Sequence, residues 1–329
     1  MPLIALLWPL LAALLPGCAD GARDAAPERS AAAAAGAEPA DTTAALEIRF
    51  LDVGQGDAVL VRHGDRTVLI DTGPRDRIVE QLRALGVDHL DLLLASHNHS
   101  DHIGGADAVL DSLRVRNYLD NGHPATTSIQ RRVLDRLEDR GVTYLQATAR
   151  TLTLGDARLR IFAPPREIEG DEQNNRSVVA LLERGRFRAL FTGDSEEEEI
   201  AFLLQADSLP DVDVLKAAHH GSRNGVTAAW LARLRPEVVV VSAGEGNSYG
   251  HPHPEALRRY CADGRRLLRT DLHGEVVVRV DAAGRYTLRA AGDSLAATPA
   301  RQTAACSPPG EPPTTRPPTG RRRAGSGAP

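Results

Sequence analysis

The residues from Ser96 to Gly105 read SHNHSDHIGG, and four of them, His97, His99, Asp101 and His102, are metal-liking side chains set within six positions. Neutral imidazole and carboxylate are the donors that zinc takes when it keeps a position open for water. A tight loop after a strand can aim His97 and His99 at one metal and Asp101 and His102 at a neighbouring one. Further along, Asp194 closes FRALFTGD and the pair His219–His220 closes VDVLKAAHH. A carboxylate has two oxygens and paired metals sit about 3.5–4 Å apart. Asp194 is therefore a candidate bridge, and His220 a candidate to complete the second site. Asp71, in IDTG, is read as structural, a carboxylate that organises its loop through backbone N–H groups rather than meeting metal.

Such side chains need rigid elements to aim them. Short β-type runs alternate with helix-length amphipathic ones between residues 46 and 291. LEIRFLDV, DAVLVRH and RTVLIDTG read as strands, RIVEQLRALG as a helix and LDLLLAS as a buried strand. Further strands are expected in RVRNYLD, VTYLQA, ARLRIFAPP, SVVALLERG, FRALFTGD, VDVLKAAHH and EVVVVSAG, with amphipathic helices between them. Two strand-rich halves, each followed by helices, imply an α/β fold of two packed sheets with helices outside. The candidate ligands fall at strand ends, where a sheet holds side chains in place.

The ends of the chain differ from this middle. An apolar run from Leu3 to Leu15 precedes Pro16-Gly17-Cys18, and a spanning helix needs about 20 apolar residues. Residues 1–18 read as an export signal whose ending resembles a bacterial lipobox, with Cys18 acylated, although no Lys or Arg precedes the run. The expectation is an extracytoplasmic, lipid-anchored protein, with secretion as the alternative, that meets the membrane only through Cys18 and has no transmembrane helix in the mature chain. Residues 19–45 form an Ala-rich tether and residues 292–329 a disordered Pro/Arg-rich tail. Cys261 lies in a helix-like stretch and Cys306 in that tail, so neither a structural disulfide nor a Cys-ligated zinc site is expected. A net charge of −5 over 329 residues gives no global attraction for nucleic acid or an anionic membrane. A polyanion must be held by a local site.

HNHSDHIGG resembles the HxHxDH signature of the metallo-β-lactamase fold superfamily, and the order IDTG, HNHSDH, FTGD, HHGS matches that family's motifs over about residues 46–291. More narrowly, FLDVGQGDAVLV, NNRSVV, LKAAHHGS, YGHPHPEAL and RTDLHGEV are similar to the hydrolase-like domain of the ComEC competence proteins. The resemblance implies a four-layer αββα sandwich holding two zinc ions on His97, His99, Asp101, His102, Asp194 and one of His219 and His220. His220 is favoured as the ligand, which leaves His219 to support it or to touch substrate. Family members commonly supply another histidine before the strand leading to the bridging aspartate. Here EGDEQNNRSVV offers only Asn174 or Asn175, and amide oxygen is a weaker zinc ligand. The first metal is then bound loosely, or replaced by a harder ion such as Mn²⁺.

The implied chemistry is hydrolysis by a metal-bound hydroxide. Asp101 would orient the nucleophile, His219 would contact substrate, and His251 and His253 would bind a phosphate or protonate the leaving group. Ser222 and Asn224 would add hydrogen bonds. The expected function is an exported phosphodiesterase or nuclease acting on DNA or another phosphodiester. Its rivals are a lactone or β-lactam hydrolase and a metal-poor protein that holds a nucleic acid or cell-wall polymer in its cleft. ComEC proteins also carry a multi-helix permease, and nothing after Leu15 is apolar enough to span a bilayer, so this chain is not a DNA channel by itself.

Overall fold

Side chains alternate between faces along a strand, so a strand that is apolar at every position needs cover on both sides. LDLLLA and EVVVVSA are such runs. The computed structural model describes residues 45–166, 168, 173–206, 209–290 and 305–307, and in it both runs lie inside large sheets. The first half of the chain supplies β1 (Leu46–Phe50), β2 (Val59–His63), β3 (Arg66–Ile70), β4 (His89–Leu90), β5 (Leu92–Leu94), β6 (Arg114–Val115), β7 (Asn117–Asp120) and β8 (Thr143–Gln146). The second supplies β9 (Arg150–Leu154), β10 (Ala157–Phe162), β11 (Val179–Arg184), β12 (Phe187–Phe191), β13 (Val214–Lys216), β14 (Val238–Val241) and β15 (Arg266–Arg269). The chain then returns to the first sheet with β16 (Val276–Val280) and β17 (Tyr286–Ala290). One sheet runs β17-β16-β1-β2-β3-β5-β7-β8 and the other β15-β14-β13-β12-β11-β10-β9, while β4 and β6 pair separately.

Alternate residues sort into separate apolar layers. Ile48, Val61, Ile70 and Leu94 of the first sheet meet Leu159, Leu182, Phe191 and Val240 of the second in the core between them. The residues between point outward: Leu60, Leu69 and Leu93 pack against Ile78, Val109 and Val133. Those three come from α1 (Arg77–Ala84), α3 (Ala106–Ser112) and α4 (Ser128–Asp139), with the single turn α2 (Ser100–Ile103) between α1 and α3. On the far side, Val239 and Val241 pack against Ile200, Trp230 and Leu257, from α5 (Glu197–Gln205), α6 (Ala228–Leu234) and α7 (Pro254–Tyr260). The order is the expected αββα.

Local departures have physical causes. RVRNYLD is two strands, because the Arg116 N–H leaves the main ladder to donate to Leu90 O at 2.9 Å. RTLTL, given no role from its sequence, pairs antiparallel with β10. It is an edge strand only half covered, and its short Thr-rich pattern carries little periodic signal. The signal segment with Cys18, the tether up to residue 44, and the tail apart from residues 305–307 lie outside the described residues. Among the described residues no helix is long and apolar enough to cross a membrane.

The cysteine expectation is overturned: Cys261, just after α7, is disulfide-bonded to Cys306. The tail returns here because Ala305 is fully buried beside Leu257 and Tyr260. Arg269 anchors it further by donating to the carbonyls of Ala305 at 3.3 Å and Ser307 at 2.8 Å. Replacing both cysteines with serine is expected to cost about 2–4 kcal/mol, read as a lower Tm. Reductant should lower the Tm of the parent chain to that of the double variant and leave the variant unmoved; equal Tm values without reductant would show that the bridge stabilises nothing.

Candidate metal centre

Strand β5 delivers the chain into SHNHSDHIGG, and Asp71 at the end of β3 holds the entry. Its Oδ1 accepts the Ser96 N–H at 2.7 Å and its Oδ2 accepts the Ser96 hydroxyl at 2.8 Å. The same Oδ2 lies 2.8 Å from His102 Nδ1, which turns Nε2 of that ring toward Asp194 Oδ1, 3.2 Å away. Fixing one ring nitrogen in this way orients the other as a ligand. Asp71 thus has the structural place expected, with the orientation of His102 added. Asp101 and His102 stand on the turn α2 rather than on an open loop. That turn packs so closely that a Cβ on Gly104 would meet Pro74 O at 2.4 Å, an approach only glycine permits.

From the second half, β12 ends in Thr192-Gly193-Asp194, and the Asp194 carboxylate enters a ring of imidazoles. Its Oδ2 lies 3.5 Å from His220 Nε2, 3.7 Å from His219 Nε2 and 3.9 Å from His97 Nε2. His220 Nε2 is also 3.2 Å from Asp101 Oδ2, and His97 Nε2 is 3.0 Å from His99 Nδ1. His97, His102, His219 and His220 thus surround Asp194, with His99 joined through His97 and Asp101 through His220. Strand β13 stops at Lys216, short of the histidines, and a tight turn follows in which His219 (φ 48) and His220 (φ 52) are both left-handed. Consecutive residues of a strand would point to opposite faces; this turn brings both rings toward one carboxylate.

Burial strips charge from an imidazole unless an acid opposes it. Burial and the charge on His102 hold His97 well below its ordinary range. At His220 burial is outweighed by Asp194 and Asp57, which push it up to about 10. His102 is raised likewise against burial by Asp194 and Asp71. Nε2 of His102, Nε2 of His220 and Oδ1 of Asp194 are buried with no hydrogen bond of proper geometry. Ligand atoms from Asp101, His102, Asp194 and His220 fit within a 4.8 Å span. Buried polar atoms left this way are costly, and imidazole with carboxylate is the donor set of zinc or manganese. The residues fit a divalent metal.

A cavity of about 390 Å³ opens over this cluster, with His99, Asp101, Asn174, His219 and His251 in its walls. A cavity of about 440 Å³ elsewhere, walled by Asn121, His123 and Arg166, has no carboxylate among its described lining residues and so no comparable donor set. Of the two asparagines, only Asn174 reaches the site. Asn175 Oδ1 accepts the N–H groups of Glu196 and Glu199, each at 3.2 Å, and so serves the start of α5 instead of a metal. His251 is buried with its ring 5.3 Å from that of His219. Burial and the charges of His219 and His220 push it down to about 3. It is a neutral ring at pH 7, suited to hydrogen bonding or ligation and unsuited to pairing with a phosphate as a cation.

Three expected substrate contacts are absent from the cavity walls. Ser222 is buried in the turn, where its N–H donates to His219 O at 2.7 Å. Asn224 is exposed beyond it, and His253 accepts the Arg223 N–H on Nδ1 at 3.1 Å. For Ser222 and Asn224 the left-handed turn at His219–His220 is the reason: it carries the chain away from the site immediately after its two rings are delivered.

Three residues not singled out from the sequence complete the centre. Asp57, between β1 and β2, is buried and ion-paired with the buried Lys216, and its Oδ1 lies 3.3 Å from His220 Nδ1. Against burial, Lys216 and His220 hold its carboxyl below the ordinary range. Lys216 also donates to Gly193 O at 3.0 Å, next to Asp194. Glu196 Oε1 lies 2.8 Å from His219 Nδ1 and accepts from Asn174 Nδ2 at 3.1 Å. A lysine within the apolar strand VLK was the available signal, since a buried ammonium demands a buried acid.

A family model described as the metallo-beta-lactamase superfamily matches residues 51–245. ComE operon protein 3 of Bacillus subtilis (strain 168) is 29% identical over 255 residues, covering 71% of this chain and 33% of that protein. Competence protein ComA of Neisseria gonorrhoeae is 34% identical over 231 residues, covering 68% of this chain and 30% of that protein. Recombination protein 2 of Haemophilus influenzae is 27% identical over 248 residues, covering 70% of this chain and 28% of that protein. The chain thus spans about a third of the length of these relatives.

Proposed function

This chain belongs to the metallo-beta-lactamase superfamily, and from that premise we propose that it is an exported phosphodiesterase whose substrate is a nucleic acid strand. The observation that carries the reading is Asn174, an amide rather than an imidazole, in the cavity wall beside the cluster. A metal that His97, His99 and Asp194 would hold would keep positions for substrate oxygens, and a phosphodiester offers two non-bridging oxygens that share one negative charge. The names of two relatives, which speak of competence and recombination, support DNA as the polymer. The disulfide supports export, because such bonds persist in oxidising compartments. Anchoring through an acylated Cys18 belongs to the same proposal, and Cys18→Ala should release the protein from membranes.

A divalent pair, when bound, supplies a Lewis acid and a water acidic enough to attack at neutral pH. The chain's own residues do the rest. Asp101, on the cavity wall, would orient the attacking water by accepting a hydrogen bond from it. Glu196 Oε1, 2.8 Å from Nδ1 of His219, would position that ring, whose Nε2 would donate a proton to the departing oxygen. His251, neutral, donates a hydrogen bond to a phosphate oxygen.

Purified protein supplied with Zn²⁺ or Mn²⁺ is expected to cleave bis-p-nitrophenyl phosphate faster than it opens nitrocefin. Glu196→Gln should lower kcat on the phosphodiester by about 10–100-fold, the usual effect of removing a partner that orients an active imidazole. Faster nitrocefin turnover would transfer the site to lactam chemistry. Metal-free protein that binds DNA without cutting it would make the protein a binder.

A further inference from the structure

Five large apolar side chains are exposed among the described residues, Leu134, Tyr144, Phe202, Tyr249 and Leu272. Single exposures of this kind are ordinary. Tyr249 differs by place: it is the most exposed, at 63%, and it alone of the five lines the cavity over the metal cluster. Its loop is clamped. Asn247 Nδ2 donates to Gly244 O at 2.9 Å and to His251 O at 2.6 Å, while Asn247 Oδ1 accepts the His251 N–H at 3.0 Å. The backbone on either side of Tyr249 is thereby held beside the site. It lies 5.7 Å from the His251 ring with planes 22° apart, and His251 in turn lies 6.1 Å from His220 with planes 26° apart. Three nearly parallel rings thus lead from the buried His220, at 1% exposure, through His251, at 5%, to the open face of Tyr249.

We propose that Tyr249 is a stacking platform for the base next to the scissile phosphate, so that the site takes a single-stranded nucleic acid. The proposal rests on the phosphodiesterase reading for its substrate class. A flat aromatic face at the rim accepts any base with comparable energy, because every base has a π-face. It cannot accept a base that is paired and stacked within a duplex. The preference is for unpaired strand over duplex, with little preference among sequences.

Two arms test it on the full-length protein. The first compares kcat/KM on oligothymidylate with kcat/KM on an abasic oligomer of equal length. Tyr249→Ala should lower that ratio about tenfold, the loss of one base stack, and Tyr249→Phe should keep it. An unchanged ratio in Tyr249→Ala would overturn the platform, as would a Tyr249→Phe as impaired as the alanine. The second arm needs no cleavage. The only native tryptophans are Trp8 and Trp230, so fluorescence gained in Tyr249→Trp over the parent reports on position 249. Quenching by oligothymidylate, weaker quenching by duplex and none by the abasic oligomer is the expected result. Equal quenching by all three, or none by any, overturns the proposal. Base-dependent quenching in a protein that cuts no phosphodiester would uphold the platform and retire the hydrolytic reading alone.

Discussion

Asp194→Ala is expected to emerge from purification with most of its divalent metal missing and to turn over bis-p-nitrophenyl phosphate at least about 1000-fold more slowly than the parent chain. The carboxylate approaches His97, His102, His219 and His220 within 3.2–3.9 Å. No other acid in the cluster reaches so many of the ligands. Losing it removes the shared ligand and leaves imidazoles facing one another with no acid between them. Elemental analysis and turnover should fall together, while circular dichroism shows the fold retained, since the apolar layers on both faces of the sheets are untouched. An Asp194→Ala protein with full metal and full rate would remove the basis for assigning the centre.

Lys216→Met is expected to cost about 3–5 kcal/mol of stability, the usual penalty for leaving one member of a buried ion pair behind. Lys216 and Asp57 are exposed by only 1% and 2%, so water cannot take over from the lost ammonium. Urea unfolding would read the loss as a lower midpoint at constant m. The double variant Asp57→Asn/Lys216→Met should recover more than half of it, because the uncompensated charge is then gone too. Costs that simply add would show that the two residues do not act as a pair. The effect on turnover is expected to exceed what stability explains, since Lys216 also holds Gly193 O beside Asp194.

The cluster was legible because local spacing encodes it: His97, His99, Asp101 and His102 fall within six positions after β5, and Asp194 and His220 follow strands whose apolar runs are plain. The layers were legible for the same reason, since a run such as VVVV, buried at every position, requires cover on both faces. What escaped depends on tertiary placement. Asp57 precedes an ordinary strand, and only the pairing of distant segments sets it against Lys216 and His220. Asn174 and Asn175 are neighbours, and the phase of a single short turn decides that one lines the cavity while the other serves α5. Ser222 and Asn224 lie outside the cavity walls because two left-handed residues at His219–His220 turn the chain that directly follows them, while His253 packs against Arg223. The Cys261–Cys306 bridge escaped because a Pro-rich tail carries no periodic sign that one alanine within it docks in the core.

Asp71, His219 and His220 share a left-handed backbone, which residues with a β-carbon adopt at a cost of about 1–3 kcal/mol each. Backbone strain alone would favour glycine at these positions, although at Asp71 the buried hydrogen bonds to Ser96 oppose it. Retaining a ligand-type side chain there sets heat resistance against turnover at the same sites. Laboratory selection for a tougher protein would therefore drift toward glycine at position 219 and return sturdy, inactive variants. A thermostable version that still works must gain its extra stability elsewhere, on the outer helices or the surface.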